Sequence, residues 1–312
     1  GLLYLAALRL LAGRPGLAPV WVPLGAAALV AVAGYVAFWV YFTHAFAGVL
    51  FSWTTLGAAA WFVLRRSAAD RTAAPDAAAG AAETAAVLRL MLLVGAFHLG
   101  VLHLFPTPHD FYTLAANRFR EAMPTDNQLP HGVGERLFAS EPPKNPADEW
   151  RSSDRPPLQT GWQLLTWPAG KLLDLDRRSV SGTSAVWFQL LWVAAAHALF
   201  RSFGLDRRRA AGWVAACALA GFFVQNTTYT WPKLAAGAFA LGAFAVLLLV
   251  PAGTMTARAR GGWAALFAAL GWLAHGGVAF SYLPLLPWVA WRAWRGEWRA
   301  WLPGAALCLA LM

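Results

Sequence analysis

Two acidic residues stand near opposite edges of a long polar stretch, residues 106–180. Asp110 lies in "PTPHDFYTL", shortly after an apolar run, and Asp154 lies in "RSSDRPPLQTGW", just before the sequence becomes apolar again. A carboxylate held beside a hydroxyl group can take its proton, which is general-base catalysis. We therefore take Asp110 as the candidate catalytic residue, and Asp154 and His109 as candidate substrate-binding residues.

Two cations complete this constellation. Arg155 follows Asp154 directly, and Lys233 lies in "NTTYTWPKL". A phosphate leaving group needs positive charge to stabilise it, so we expect both cations to contact substrate. Structural roles stay open for these residues, since Asp154 suits a helix cap and Lys233 suits a lysine that extends from a helix start towards a lipid headgroup.

The composition indicates the kind of element that positions these residues. Apolar residues make up 59% of the 312, only 13% are charged, and the mean hydropathy is +0.49. A soluble domain carries roughly 25% charged residues, and a helix of about 20 apolar residues crosses a bilayer. We predict an all-α fold, a polytopic transmembrane helical bundle with a large extracytoplasmic loop that carries short surface helices.

The apolar runs predict the spans and their orientation. We expect spans at about 20–42, 45–64, 86–105, 182–203, 210–226, 233–250, 261–275 and 278–292, with a last one from about 300. The arginines cluster in alternate connections, which the positive-inside rule makes cytoplasmic: Arg9 and Arg14, Arg65, Arg66 and Arg71, Arg201 and Arg207 to Arg209, Arg258 and Arg260, and Arg292, Arg295 and Arg299. We read the net charge of +10 as a matter of orientation and of contact with anionic membrane lipids, not of nucleic-acid binding.

This orientation divides the chain into three parts. Residues 1–105 form N-terminal spans, 106–180 an extracytoplasmic loop with the candidate site, and 181–312 the C-terminal spans. The expected location is the bacterial plasma (inner) membrane. Because the chain begins without methionine and stops inside an apolar run, we expect further residues beyond it.

Local sequence patterns predict the structure of the segments between the spans. The alanine-rich residues 67–85 predict a loose cytoplasmic loop. An amphipathic stripe after Asp110 predicts a surface helix, and Pro156 and Pro157 predict a rigid entry into a helix from Leu158. Tryptophans and arginines over 288–301 share one helix face, which is typical of an anchor at the lipid headgroups.

"HDFYTLAANRFREAM" followed by "SSDRPPLQTGW" resembles the first external loop of the GT-C membrane glycosyltransferases, such as protein O-mannosyltransferases and lipid A aminoarabinose transferases. The resemblance implies transfer of a sugar from a polyprenyl-phosphate-linked donor to an acceptor on the extracytoplasmic face. It implies that Asp110 is the catalytic base and that Asp154, Arg155, Pro156 and Pro157 shape the site. This chain departs from the family in placing at least two spans before the loop and in having a single acid, after His109.

Two other functions stay open. A transporter or flippase of lipid-linked sugars would carry more ionisable groups at mid-membrane than His98 and His197. A non-catalytic scaffold in cell-envelope assembly would tolerate neutral replacement of Asp110 and Lys233. The cofactor stays unknown, since a divalent metal is compatible with the chemistry but the spacing of the histidines does not indicate one.

Overall fold

The computed structural model describes residues 2–11, 17–67, 75–104, 109–118, 123–143, 156–251 and 254–311, and every regular element within these ranges is helical. The first eight α-helices are α1 (Leu2–Leu11), α2 (Val22–Thr43), α3 (Ala45–Ser67), α4 (Pro75–Leu102), α5 (Phe111–Asn117), α6 (Leu129–Phe138), α7 (Leu158–Leu164) and α8 (Trp167–Leu172). The others are α9 (Arg177–Gln189), α10 (Leu191–Ser202), α11 (Arg207–Ala218), α12 (Gly221–Thr228), α13 (Lys233–Leu248), α14 (Ala257–Ala274), α15 (Ala279–Tyr282), α16 (Leu286–Arg292) and α17 (Trp298–Leu311). Short 3-10 turns at Pro19–Trp21, Thr125–Gln128, Gly276–Val278 and Leu283–Leu285 connect some of them.

Among the residues that the structure describes, four helical stretches are long and apolar enough to cross a membrane: Pro19–Thr43, Ala45–Arg65, Gly80–Leu102 and Arg177–Ser202. A fifth arises if α11 and α12, which are bent by 76° at their junction, form one broken span. The all-helical prediction is confirmed, and these stretches match the first five predicted spans to within a few residues, apart from the starts of the third and fourth.

The later predicted spans are less regular than expected. Helix α13 has 16 residues, and the apolar run over 278–292 is divided among α15, a 3-10 turn and α16. Pro284 and Pro287 lack the N–H group that continues a helix, which accounts for this division.

One other prediction needs correction. Residues 75–85 belong to helix α4 and are not part of a loose loop, because alanine is the strongest helix former and the run joins an apolar helix; 68–74 lie outside the described residues. The helix predicted from Leu158 is confirmed: α7 begins there, directly after Pro157, and has 7 residues, while the next candidate span begins at Arg177.

The helices pack around a large apolar core that involves α2, α4, α9, α10, α13 and α14. Helix α7 is inserted against α2, and glycine permits this contact. A Cβ atom added to Gly161 would lie 2.0 Å from the carbonyl oxygen of Gly34, a distance that no side chain tolerates.

Hydrogen bonds between helices define two ends of the bundle. What we call the polar end carries residues 109–118, 123–143 and 156–176. There, Gln159 donates to the carbonyl of Thr230 at 2.9 Å, and the hydroxyl of Tyr229 donates to the carbonyl of Pro124. The connection between α12 and α13 therefore lies at the polar end.

We call the opposite end the basic end, because Arg9, Arg201, Arg207 and Arg260 lie there. Trp21, just before α2, donates to the hydroxyl of Ser202 at the end of α10 at 3.2 Å. Arg260 donates to carbonyl oxygens in the last turn of α13 and just beyond it. These four arginines thus lie at the end opposite to Asp110.

Candidate functional site

Asp110 is the N-cap of helix α5. Its Oδ1 accepts from the backbone N–H groups of Tyr112 at 3.0 Å and Thr113 at 3.4 Å, and its Oδ2 accepts from the hydroxyl of Thr113 at 2.9 Å. Partial burial favours a higher pKa, but the hydrogen bonds from Thr113 and the charge of Arg178 outweigh it, and the pKa of Asp110 is lowered. Asp110 is therefore ionised at neutral pH.

Arg178, in the first turn of α9, faces this carboxylate. Its Nη2 lies 3.6 Å from Oδ1 of Asp110 and donates to Oε1 of Gln128 at 3.1 Å. The guanidinium carbon lies 5.8 Å from the ring centroid of Tyr112. Both side chains of the ion pair are exposed, at 44% for Arg178 and 38% for Asp110, so a ligand can reach them.

The neighbouring Arg177 has other partners than Arg178. Its Nη1 pairs with Oε2 of Glu135 at 2.7 Å, and its guanidinium packs over the rings of Phe138 and Trp167. Planar arginine stacks well on aromatic faces, so Arg177 is held in place by aromatic rings and an acid. Arg178 is therefore the better cation for a ligand.

A hydrogen-bonded group lies behind the ion pair. The hydroxyl of Ser181 accepts from Nε1 of Trp167 at 2.8 Å and bonds to Nδ1 of His131 at 3.0 Å. Nε2 of His131 lies 3.6 Å from Oε1 of Glu135. Burial, together with the charges of Arg178 and Arg177, lowers the pKa of His131 to about 4, so the ring is neutral at neutral pH.

A cleft of about 290 Å³ opens beside Arg177. Its walls come from α8, α9 and the turn between them, and include Trp167, Lys171, Asp174 and Asp176. Side chains of both charges line it, so the cleft suits a polar molecule better than an apolar one.

Buried amide groups extend this polar region into the bundle. Gln159, Gln163 and Thr230 are each at most 1% exposed. Within the described part of the chain, Oε1 of Gln159, both amide atoms of Gln163, and the hydroxyls of Thr230 and Tyr112 are buried without a hydrogen bond of good geometry. The Tyr112 hydroxyl lies beside Ser181 and Gln163, and burial raises its pKa more than these neighbours lower it.

Lys233 is the first residue of α13, is exposed and lies at the polar end. The backbone N–H groups of Leu234 and Ala235, which follow it, already donate to Oε1 of Gln189 at 3.2 and 3.3 Å. This helix start therefore offers an anion the side chain of Lys233 and little backbone. No ion pair of Lys233 occurs among the residues that the structure describes.

The other predicted site residues stand as follows. His109 is exposed and directly precedes Asp110. Asp154 and Arg155 lie outside the described residues, so their predicted contacts with substrate remain predictions. Over the described ranges, no group of three or more His, Cys, Asp or Glu side chains is arranged to hold a metal ion.

Arg178 and the buried group around His131 were not among the predicted site residues. The signal for Arg178 was the arginine pair of "DLDRRS", which stands at the junction of the polar stretch and a candidate span. No comparable pattern marked His131, Ser181 or Gln163, because their association depends on how α6, α7 and α9 pack.

A second cluster of charges lies at the basic end. Glu83 is 3% exposed, and its carboxylate accepts from Nε of Arg201 at 2.9 Å and from Nε of Arg207 at 3.1 Å. Nδ1 of His197 lies 3.6 Å from the same carboxylate. These contacts join α4, α10 and α11, which is a structural role.

Comparisons with family models, curated proteins and solved structures find no match to this chain. The arrangement itself provides an ionised carboxylate beside an accessible arginine, with neutral polar side chains behind them. Such a site can bind an anionic group at its surface and accept a proton there.

Proposed function

We propose that this protein is an integral membrane glycosyltransferase that moves a sugar from a polyprenyl-phosphate-linked donor to an acceptor on the extracytoplasmic face. The observation that carries the proposal is the exposed pair of Asp110 and Arg178, whose charged atoms lie 3.6 Å apart. Asp110 follows the candidate span that ends at Leu102, and Arg178 lies at the start of the one that begins at Arg177. A base and an anion-binding cation thus lie where a lipid headgroup would meet the bundle.

In the proposed reaction, Arg178 binds the donor phosphate. The acceptor hydroxyl oxygen bonds to the anomeric carbon of the sugar, and its proton passes to Asp110. The bond between the anomeric carbon and the phosphate oxygen breaks, and polyprenyl phosphate leaves with the electron pair. Arg178 stabilises the charge that develops on the phosphate.

Donor binding also changes the basicity of Asp110. In the free protein, the charge of Arg178 helps to lower the pKa of Asp110. A phosphate that pairs with Arg178 neutralises this charge, and the pKa of Asp110 then rises, which makes it a better base. The carboxylate is thereby activated only when the donor is present.

Lys233 and Arg155 are proposed to add positive charge around the donor phosphate. Lys233 lies at the polar end and is exposed, which suits this role. Asp154 and His109 are proposed to border the same donor site. Contact with anionic membrane lipids is proposed for the arginines at the basic end and for the segment over 288–301, where Arg295 packs 5.2 Å from the ring of Trp291.

A scaffold function is the second candidate. The engaged oxygens of Asp110 favour it, because capping alone accounts for an acid at this position. Asp110→Asn separates the two, since asparagine caps a helix about as well as aspartate but cannot take a proton at neutral pH.

Native mass spectrometry of the purified protein provides the first test. We expect the wild type to retain added undecaprenyl phosphate and the Lys233→Ala variant to retain less of it. Retention of bulk phospholipid alone, in both proteins, would favour the scaffold.

A further inference from the structure

The buried amide cluster behind the ion pair, made of Tyr112, Gln159, Gln163 and Thr230, has no use in the reaction described above. Its members come from α5, α7 and the connection between α12 and α13. Gln159 reaches Thr230 through a hydrogen bond of 2.9 Å, and Gln163 lies one helical turn further along α7, beside Tyr112. The cluster therefore continues from the Tyr112 ring beneath Arg178 into the bundle.

The polar atoms left over in this cluster cost free energy unless something binds them. Buried donors and acceptors in proteins are nearly always paired, with water or a ligand where the protein gives no partner. Here the hydroxyl of Tyr112 interacts with Ser181 and Gln163, and the atoms without a hydrogen bond of good geometry belong to several neighbouring side chains instead of one isolated group. Such a concentration is expected where ordered water or a ligand fills the gap between side chains.

The chemistry of these atoms defines the ligand. Oε1 of Gln159 and Oε1 of Gln163 are acceptors, Nε2 of Gln163 is a donor, and the hydroxyls of Tyr112 and Thr230 are both. A phosphate accepts hydrogen bonds only, and a metal ion needs acceptors only. A hydroxyl group donates and accepts, so a molecule with several hydroxyls satisfies the cluster.

The four side chains of the cluster are uncharged, which limits the sugars that can bind there. Its four side chains carry neither a carboxylate nor a cation, and burial keeps the Tyr112 hydroxyl protonated by raising its pKa. A sugar with an ammonium group would find no counter-charge in the cluster. A neutral sugar meets no such penalty.

We propose that this buried amide cluster binds the sugar of the donor, and that the sugar is uncharged instead of an amino sugar. The inference rests on the proposed function, because the phosphate on Arg178 would direct the attached sugar towards Tyr112. The same side chains would then select the donor by its hydroxyl groups.

Gln163→Leu is the variant that tests this inference. Leucine has a similar size but cannot form hydrogen bonds, and the wild-type amide has no hydrogen bond of good geometry among the described residues. The variant should therefore melt at a temperature close to that of the wild type. Gln225→Leu is the matched control, since its Nε2 contacts the sulfur of Met123 at the polar end, outside the cluster.

The measurement is retention of four added lipids in native mass spectra: undecaprenyl phosphate and its mannosyl, glucosyl and aminoarabinosyl derivatives. We expect the wild type and Gln225→Leu to retain at least one hexosyl lipid about tenfold better than the other lipids, a difference worth about 1.4 kcal/mol. Gln163→Leu should retain the hexosyl lipids and undecaprenyl phosphate equally.

The other outcomes overturn the inference and separate it from the proposed function. If the wild type retains undecaprenyl phosphate without any preference for a hexosyl lipid, the cluster holds water and the phosphate site still stands. An aminoarabinosyl lipid retained as well as the hexosyl lipids rules out selection by charge. If the Gln163→Leu protein melts at a lower temperature and loses all four lipids, the amide of Gln163 stabilises the fold and does not select the sugar. If the wild type retains none of them, the proposed function fails together with the inference.

Discussion

Nη2 of Arg178 lies 3.6 Å from Oδ1 of Asp110, while the same carboxylate caps helix α5 through Tyr112 and Thr113. The cap fixes the position of the acid, and the arginine brings α9 to it. Because an exposed ion pair adds little stability by itself, this pair at the start of a candidate span contributes little to holding the fold together. The helix cap therefore holds Asp110 in place, and the ion pair with Arg178 is the part of its surroundings that a ligand can contact.

The first prediction concerns Asp110. Asp110→Asn should keep the melting temperature close to that of the wild type, because the cap remains, and should lower the transfer rate by about 100-fold or more. Asp110→Ala should lose the rate and also about 1 kcal/mol of stability. Transfer from the lipid-linked donor and thermal unfolding are measured for both variants. Full activity in the asparagine variant would rule out Asp110 as the base.

The second prediction compares the two adjacent arginines. Arg178→Gln should weaken retention of undecaprenyl phosphate by about 10- to 100-fold, the value of a charge-assisted hydrogen bond. Arg177→Gln should keep retention, since Arg177 is already paired with Glu135 at 2.7 Å. Native mass spectrometry measures both. Equal losses in the two variants would mean that total charge matters and position does not.

The third prediction concerns pH. The pKa of His131 is lowered to about 4 in the folded protein from 6.5, so the folded state favours the neutral ring. The resulting stability is fully present above pH 6.5, is lost as the pH falls towards 4, and amounts to about 3 kcal/mol. Melting temperatures between pH 4 and 7 should fall with acid in the wild type. His131→Asn retains a partner for Ser181 and should give a flatter curve; an unchanged slope would assign the effect to other groups.

The fourth prediction addresses the basic end. Glu83→Gln leaves the side chains of Arg201 and Arg207 without their shared carboxylate, although both arginines reach solvent in part. We expect a loss of about 2 to 3 kcal/mol in the free energy of unfolding. Asp206→Asn is the control, because its pair with Arg209 is exposed and asparagine keeps the cap of α11. Similar small losses of unfolding free energy in both variants would show that burial of Glu83 does not strengthen its ion pairs.

The fifth prediction concerns the contact between α2 and α7. Gly161→Ala places a methyl group against the carbonyl of Gly34 and should cost at least about 1 to 3 kcal/mol, as overpacking does. Gly57→Ala in α3 meets no atom within 4 Å among the described residues and should stabilise its helix by about 0.5 to 1 kcal/mol. Thermal unfolding of the two alanine variants measures the difference. Equal melting temperatures would mean that α7 is not held tightly against α2.

Several features of this architecture could be predicted from single residues. Long apolar runs predict helices because a helix satisfies all its backbone groups internally, and α2 and α3 follow them closely. Asp110 could be placed at a helix start from its position before an amphipathic stripe, and Lys233 at the start of α13 from the preceding proline. These are local properties, and the sequence carries them directly.

The partners of Asp110 could not be predicted in the same way. Arg178 is 68 positions away in the sequence, and it meets Asp110 because α5 and α9 pack at one end of the bundle. The buried bond between His131 and Ser181 spans 50 positions and likewise depends on tertiary packing. The loop predicted over the alanine-rich start of α4 was wrong, because low sequence complexity was given more weight than the high helix propensity of alanine.

The position of α7 determines how this protein can be handled in the laboratory. Leu158 and Leu164 are fully buried, and the α7 backbone lies directly against α2 at Gly34. A secreted fragment of residues 106–180 would expose these leucines to water and lose the surface that shapes α7. Assays of donor binding therefore call for the intact chain in detergent or a lipid nanodisc, and an excised loop that binds nothing would carry no information about the site.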